Sequence, residues 1–125
     1  MSRPTAPRFD AAFFERYYGD PETRVADDGD AERLVALIAG GVHYVGLPVR
    51  TILDAGCGVG LLRRPLLARF PGATYTGLEF SEYLCARHGW VQGSLADYAP
   101  RRRFDLVVCH DVLQYLDDRT AARAI

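Results

Sequence analysis

The stretch Ile52-Leu53-Asp54-Ala55-Gly56-Cys57-Gly58-Val59-Gly60 constrains the fold more than any other segment of the chain. A short apolar run ends in an acid and passes directly into glycines at alternate positions. Glycines there let the main chain turn tightly at the end of a strand and let a ligand lie directly on the backbone. The flanking pattern fits such a turn. Thr51 to Ala55, Thr74 to Leu78, Trp90 to Gln92 and Phe104 to Cys109 read as strands, the first and last with the continuous apolar character of strands buried on both faces. Helices are expected at Leu61 to Phe70 and at Glu82 to His88. The second has Ser81 as N-cap and Gly89 beyond its end. Alternating strands and helices imply parallel βαβ units. Pro65 falls inside the first of these helices, which predicts a distorted first turn or a late start.

The spacing of the glycines narrows the ligand. A dinucleotide fingerprint needs G-x-G-x-x-G, whereas Gly56, Gly58 and Gly60 are followed by Leu61, and no Gly-Lys-Ser/Thr follows to make a P-loop. The Asp54 carboxylate would repel a pyrophosphate but suits an ammonium or sulfonium charge. S-adenosylmethionine carries both. Glu79, 19 residues after Gly60 and at the tip of the second strand, can accept hydrogen bonds from both hydroxyls of a ribose. NAD proteins share that marker, so it supports an adenosine ligand without choosing the cofactor.

With these segments in order, residues 51 to 118 resemble the core of the class I S-adenosylmethionine-dependent methyltransferases. Leu53 to Gly60 is similar to that family's first motif and Gly77-Leu78-Glu79-Phe80-Ser81 to its second. Gln92-Gly93-Ser94-Leu95 resembles the adenine-side motif, and Phe104 to Leu116 the fourth-strand motif. The resemblance implies an α/β, Rossmann-like parallel sheet with flanking helices, four strands in the order 3-2-1-4. It implies that Asp54, Gly56, Cys57 and Gly58 hold the methionine part, Glu79 the ribose, and Phe80, Ser94 and Leu95 the adenine; Gly60 is counted with the cofactor-binding residues, and His110 reads as a cofactor-side wall. Ser94 stands where the family often carries Asp. The implied reaction is methyl transfer to N or O of a small molecule, in which a general base is needed only if the acceptor must lose a proton. The candidates for that base are Asp111, His110 and Tyr18. The alternatives are a nucleotide-binding dehydrogenase domain of NAD type, disfavoured by Leu61 and Asp54, and a truncated domain that binds cofactor without catalysis.

Upstream, residues 1–9 read as a mobile arm and residues 10–45 as N-terminal helices, with the cofactor-binding core from 50 to 125. One helix runs from the Asp10 cap to Tyr18 and carries Phe13, Phe14 and Tyr17. Another begins at the Asp30 cap, repeats Leu34, Val35, Ile38 and Val42 at helical spacing and ends at Gly40-Gly41. A class I sheet has seven strands, whereas this chain of 125 residues offers four. The expectation is a single incomplete domain, either a piece of a longer protein or one completed by homo-oligomerisation at the fourth-strand edge.

Composition excludes several function classes. All 15 basic residues are arginine, so lysine Schiff-base chemistry is ruled out. A net charge of -1 gives no pull toward nucleic acid or anionic lipid, and Arg101-Arg102-Arg103 reads as a solvated loop. Cys57, Cys85 and Cys109 form no C-x-x-C pair, and adjacent Cys109, His110 and Asp111 point in different directions, so no metal is expected. Without a signal peptide or membrane span in the sequence, the expected location is cytoplasmic.

Overall fold

The computed structural model describes residues 28–110, 112 and 116–125. The expected arm, the aromatic helix with Tyr17 and Tyr18, and the positions of Asp111 and Tyr115 lie outside the described residues. The described chain opens with helix α1, Asp28–Val45, whose Ala31 and Val35 are buried. It starts two residues before Asp30. Gly40 and Gly41 do not end it, a correction to the sequence expectation. The stop is instead at Gly46, which has φ +70. There the Gly46 N–H donates to the His43 carbonyl and the Leu47 N–H to the Val42 carbonyl, the paired bonds of a Schellman cap. Two helical glycines cost about 1 kcal/mol each, less than burial of the Val35 and Ile38 face returns.

Strand β1, Thr51–Ala55, follows and is the centre of the sheet. Helix α2, Arg63–Arg69, is shorter than its expected span, and its late start resolves the Pro65 conflict. Pro65 is its third residue, where an N–H would have no partner inside the helix. Strand β2, Thr74–Glu79, then pairs with β1 in parallel, Thr51 beside Thr74 and Ala55 beside Leu78. Helix α3, Glu82–His88, has the expected limits: Ser81 Oγ accepts from the Leu84 N–H, and Gly89 closes it at φ +74. Strand β3, Val91–Gln92, lies against Leu78 and Glu79, without Trp90. Strand β4, Leu106–Val108, pairs with Ile52 to Asp54, and α4, Asp118–Ala124, is capped by Asp117.

All pairings are parallel and the order is β3-β2-β1-β4. The reversal of order falls between β1 and β4, at whose carboxyl ends open α/β sheets form their ligand crevice. Two cores hold the layers together. Val35, Ile52, Leu66 and Val108 pack on the α1 and α2 side, and Leu53, Ala55 and Leu78 on the other, covered by Leu95, Tyr98 and Phe104. Strand β4 departs from expectation. It spans three residues instead of six, and Val107 is 56% exposed, because the described sheet gives it no neighbour beyond β1. Its register is set at its start. Asp105 Oδ2 accepts the N–H groups of Arg50 and Thr51, and its own N–H donates to Thr51 Oγ1.

Candidate functional site

The glycine turn leaves β1 at Ala55 and folds onto the tip of β2. The N–H groups of Gly56 and Cys57 both donate to the Leu78 carbonyl, at 2.7 and 3.1 Å. Gly56, Gly58 and Gly60 have φ of +78, +58 and +82, a conformation that side chains disfavour. What surrounds each glycine separates their tasks. A Cβ on Gly56 would strike the Val112 side chain, and one on Gly60 the Trp90 ring, so these two allow close packing. Among the described residues, a Cβ on Gly58 would meet nothing within 4 Å. The turn they form is open at Gly58.

Beneath the turn lies Asp54, 3% exposed. Its Oδ2 accepts the Tyr75 hydroxyl at 2.6 Å. Burial pushes its pKa up to about 6, against the Tyr75 hydrogen bond that lowers it. Glu79 adds a smaller upward push and His110 a smaller downward one. Burial and the same carboxylate push the Tyr75 phenol well up, so it remains a donor. The Cys57 thiol is also pushed well up, first by burial and then by Asp54, which makes it a packing group and not a nucleophile.

Glu79 stands beside the turn and braces it. Its Oε1 accepts the Gly58 N–H at 3.0 Å and its Oε2 the Ser81 N–H at 2.7 Å. The carboxylate is held in one orientation with lone pairs to spare for a diol. Phe80 follows at 67% exposed, a bare aromatic face next to that carboxylate. Leu95 packs on the Leu53, Ala55 and Leu78 core. Ser94 Oγ accepts the Ala96 N–H at 3.2 Å, so the hydroxyl shapes its own turn. His110 is exposed after β4, close enough to Asp54 to favour its charged form. The fold thus gathers Asp54, Gly56, Cys57, Gly58, Gly60 and Glu79 in one place. Asp111 and Tyr18 fall outside the described residues.

Two residues of this cluster escaped the motif reading. Tyr75 is one, and Trp90 is the other: its Nε1–H donates to the Gly58 carbonyl at 3.0 Å. The indole stacks on His88 with centroids 5.4 Å apart and meets the Tyr75 ring edge-on at 5.8 Å. It fills the space that Gly60 and Gly77 leave by lacking a Cβ. Strand alternation held the signal, since Tyr75, Gly77 and Glu79 share one face of β2 and Gly77 pairs with Asp54.

Comparison with known proteins agrees with the geometry. A family model described as a methyltransferase domain matches residues 53–124. Trans-aconitate 2-methyltransferase of Mycobacterium tuberculosis is 31% identical over 107 residues, 81% of this chain and 40% of that protein. A tRNA1(Val) (adenine(37)-N6)-methyltransferase of Vibrio cholerae is 36% identical over 73 residues, 48% of this chain and 30% of the other. Among solved structures, magnesium protoporphyrin IX methyltransferase from Synechocystis PCC 6803 with bound SAM superposes with a TM-score of 0.63 at 25% identity, covering 91% of this chain and 62% of that one. The chain thus spans 30 to 40% of the length of these curated relatives.

Proposed function

The chain belongs to the class I S-adenosylmethionine-dependent methyltransferases, and from that premise we propose that it forms the cofactor-binding part of an enzyme that methylates N or O of a small molecule. The observation that carries this reading is the open glycine turn at Gly58, flanked by the two carboxylates of Asp54 and Glu79. The residues fit the group. The backbone at Gly58, which no described residue covers, accepts the methionine part, Asp54 supplies negative charge from below, and the braced Glu79 takes the ribose hydroxyls. Phe80 offers its exposed ring to one face of the adenine, and Leu95 with the Ser94 backbone closes the other side.

When bound, S-adenosylmethionine supplies a methyl group already activated for in-line displacement. The chain's own residues then have three tasks: to hold the ligand in one orientation, to keep water out, and to remove a proton where the acceptor carries one. His110 is the described candidate for the last task. Because Asp54 is almost fully buried, its charge acts on the ligand through the turn or through a water, not by open contact. A small acceptor is supported by the net charge of -1, which offers no attraction to a polyanion, and by the relative named for trans-aconitate over the longer alignment. Among the described residues no helix is long and apolar enough to cross a membrane. Three free cysteines support a cytoplasmic setting.

Transfer of labelled methyl from S-adenosylmethionine, assayed against small carboxylates, amines and phenols and against total tRNA, tests the proposal. Label in a small acceptor is expected. Label in tRNA alone would contradict the acceptor class.

A further inference from the structure

Tyr75 lies outside the glycine turn and the ribose-binding tip, yet it makes the hydrogen bond that Asp54 receives at 2.6 Å. Its own position is secured on two sides. The Trp90 indole meets its ring at 5.8 Å and 60°, and the Arg63 guanidinium of α2 lies 5.9 Å from its centroid. Trp90 is in turn bonded to the Gly58 carbonyl, so the phenol and the glycine turn share one support.

A buried carboxylate left alone would be neutral near physiological pH, and a neutral acid offers nothing to a cationic ligand. We propose that Tyr75 is a positioning residue for cofactor binding: its hydroxyl keeps the Asp54 carboxylate ionised and turned in one direction beneath the glycine turn. The inference rests on the reading of Asp54 given under Proposed function. Among the described residues, the groups that face Asp54 are Tyr75 and Glu79 from β2, Cys57 from the turn, and Cys109 and His110 after β4. Glu79 opposes the charge, whereas His110 favours it less than Tyr75 does. Of these, the phenol contributes the largest favourable interaction.

The test compares wild type with Tyr75→Phe in the 125-residue chain. The Asp54 carboxyl is titrated by carbon NMR without ligand, and S-adenosylhomocysteine affinity is measured across pH 5 to 8.5 through the emission of Trp90, the sole tryptophan. In Tyr75→Phe the Asp54 midpoint is expected to rise by about one pH unit, the scale of one charged hydrogen bond. The pH at which binding weakens should rise with it, and affinity at the alkaline end should return to within about threefold of wild type. A lost packing contact would lower affinity equally at every pH. 3-Fluorotyrosine at position 75, a stronger donor of nearly the same size, should move both midpoints down and guards against a folding defect in the first variant. Superimposable Asp54 titrations, or a loss of affinity independent of pH, would overturn the proposal. If wild type failed to bind S-adenosylhomocysteine while Asp54 shifted as expected, the cofactor reading would fall, and with it the purpose assigned to this hydrogen bond.

Discussion

The Gly58 amide donates to Glu79 Oε1 at 3.0 Å. The carboxylate proposed for the ribose thus also braces the turn proposed for the methionine. Removing it should be felt at both places. Glu79→Ala is expected to weaken S-adenosylhomocysteine binding by ~2 to 3 kcal/mol, the scale of charged hydrogen bonds left unmade. It should also speed hydrogen exchange at the Gly58 and Ser81 amides in the free protein. An effect on turnover alone, with binding and exchange unchanged, would remove Glu79 from both roles.

Asp54 sets stability against function. Its folded pKa of about 6 lies above the ordinary aspartate value of 3.8, so the folded state holds a proton that the unfolded chain has already released. Stability therefore falls as pH rises from about 4 to about 6 and stays reduced above that window. Asp54→Asn removes this penalty. The variant should be more stable than wild type by ~2 to 3 kcal/mol at pH 7.5, with the gain fading toward pH 4, while cofactor binding is abolished. Urea unfolding at the two pH values checks the sign. Equal gains at both would mean that the carboxylate is not buried and charged at neutral pH.

Gly58 and Gly60 of the turn should respond differently to substitution. At Gly58 a side chain has space but a disfavoured φ of +58, so Gly58→Ala should cost roughly 1 to 2 kcal/mol of stability while Gly58→Val abolishes binding by filling the ligand's place. Gly60→Ala drives a Cβ to 2.7 Å from the Trp90 ring, so it should lose more stability than Gly58→Ala. Thermal unfolding and calorimetry together separate the two. A Gly60 variant as stable as wild type would show that the indole is not wedged under the turn.

Where local chemistry decided the outcome, the sequence was legible. Strand β1 and helix α3 fell on their expected limits because their signals are short-range: an apolar run stopped by glycine, and a serine cap answered by Gly89. Strand order followed from the family resemblance, and the structure brings Glu79 to the glycine turn at Gly58. What escaped depends on tertiary partners. Gly40 and Gly41 stay helical because the Val35 and Ile38 face is packed, which outweighs their local preference. Strand β4 spans three residues and, among the described residues, pairs with β1 alone; the edge was expected, but its apolar sequence does not reveal its short length. Tyr75 and Trp90 carry no motif, and only the register of β2 on β1 brings the phenol to Asp54.

Trp90→Phe deletes the donor to the Gly58 carbonyl and shrinks the ring that packs at Gly60 and Gly77. The loss expected is more than the ~1 kcal/mol of one neutral hydrogen bond, because packing is lost with it, and S-adenosylhomocysteine binding should weaken as the turn loosens. Chemical denaturation and calorimetry measure both. Unchanged affinity would mean that the turn holds its shape without the indole.

Isothermal titration of the chain with S-adenosylhomocysteine and, separately, with NAD decides whether this turn and its two carboxylates hold S-adenosylmethionine. That reading expects one saturable site for S-adenosylhomocysteine, lost in Asp54→Asn and in Gly58→Val, and no heat of binding for NAD. Binding of NAD that survives in Asp54→Asn, with no binding of S-adenosylhomocysteine to wild type, would contradict it.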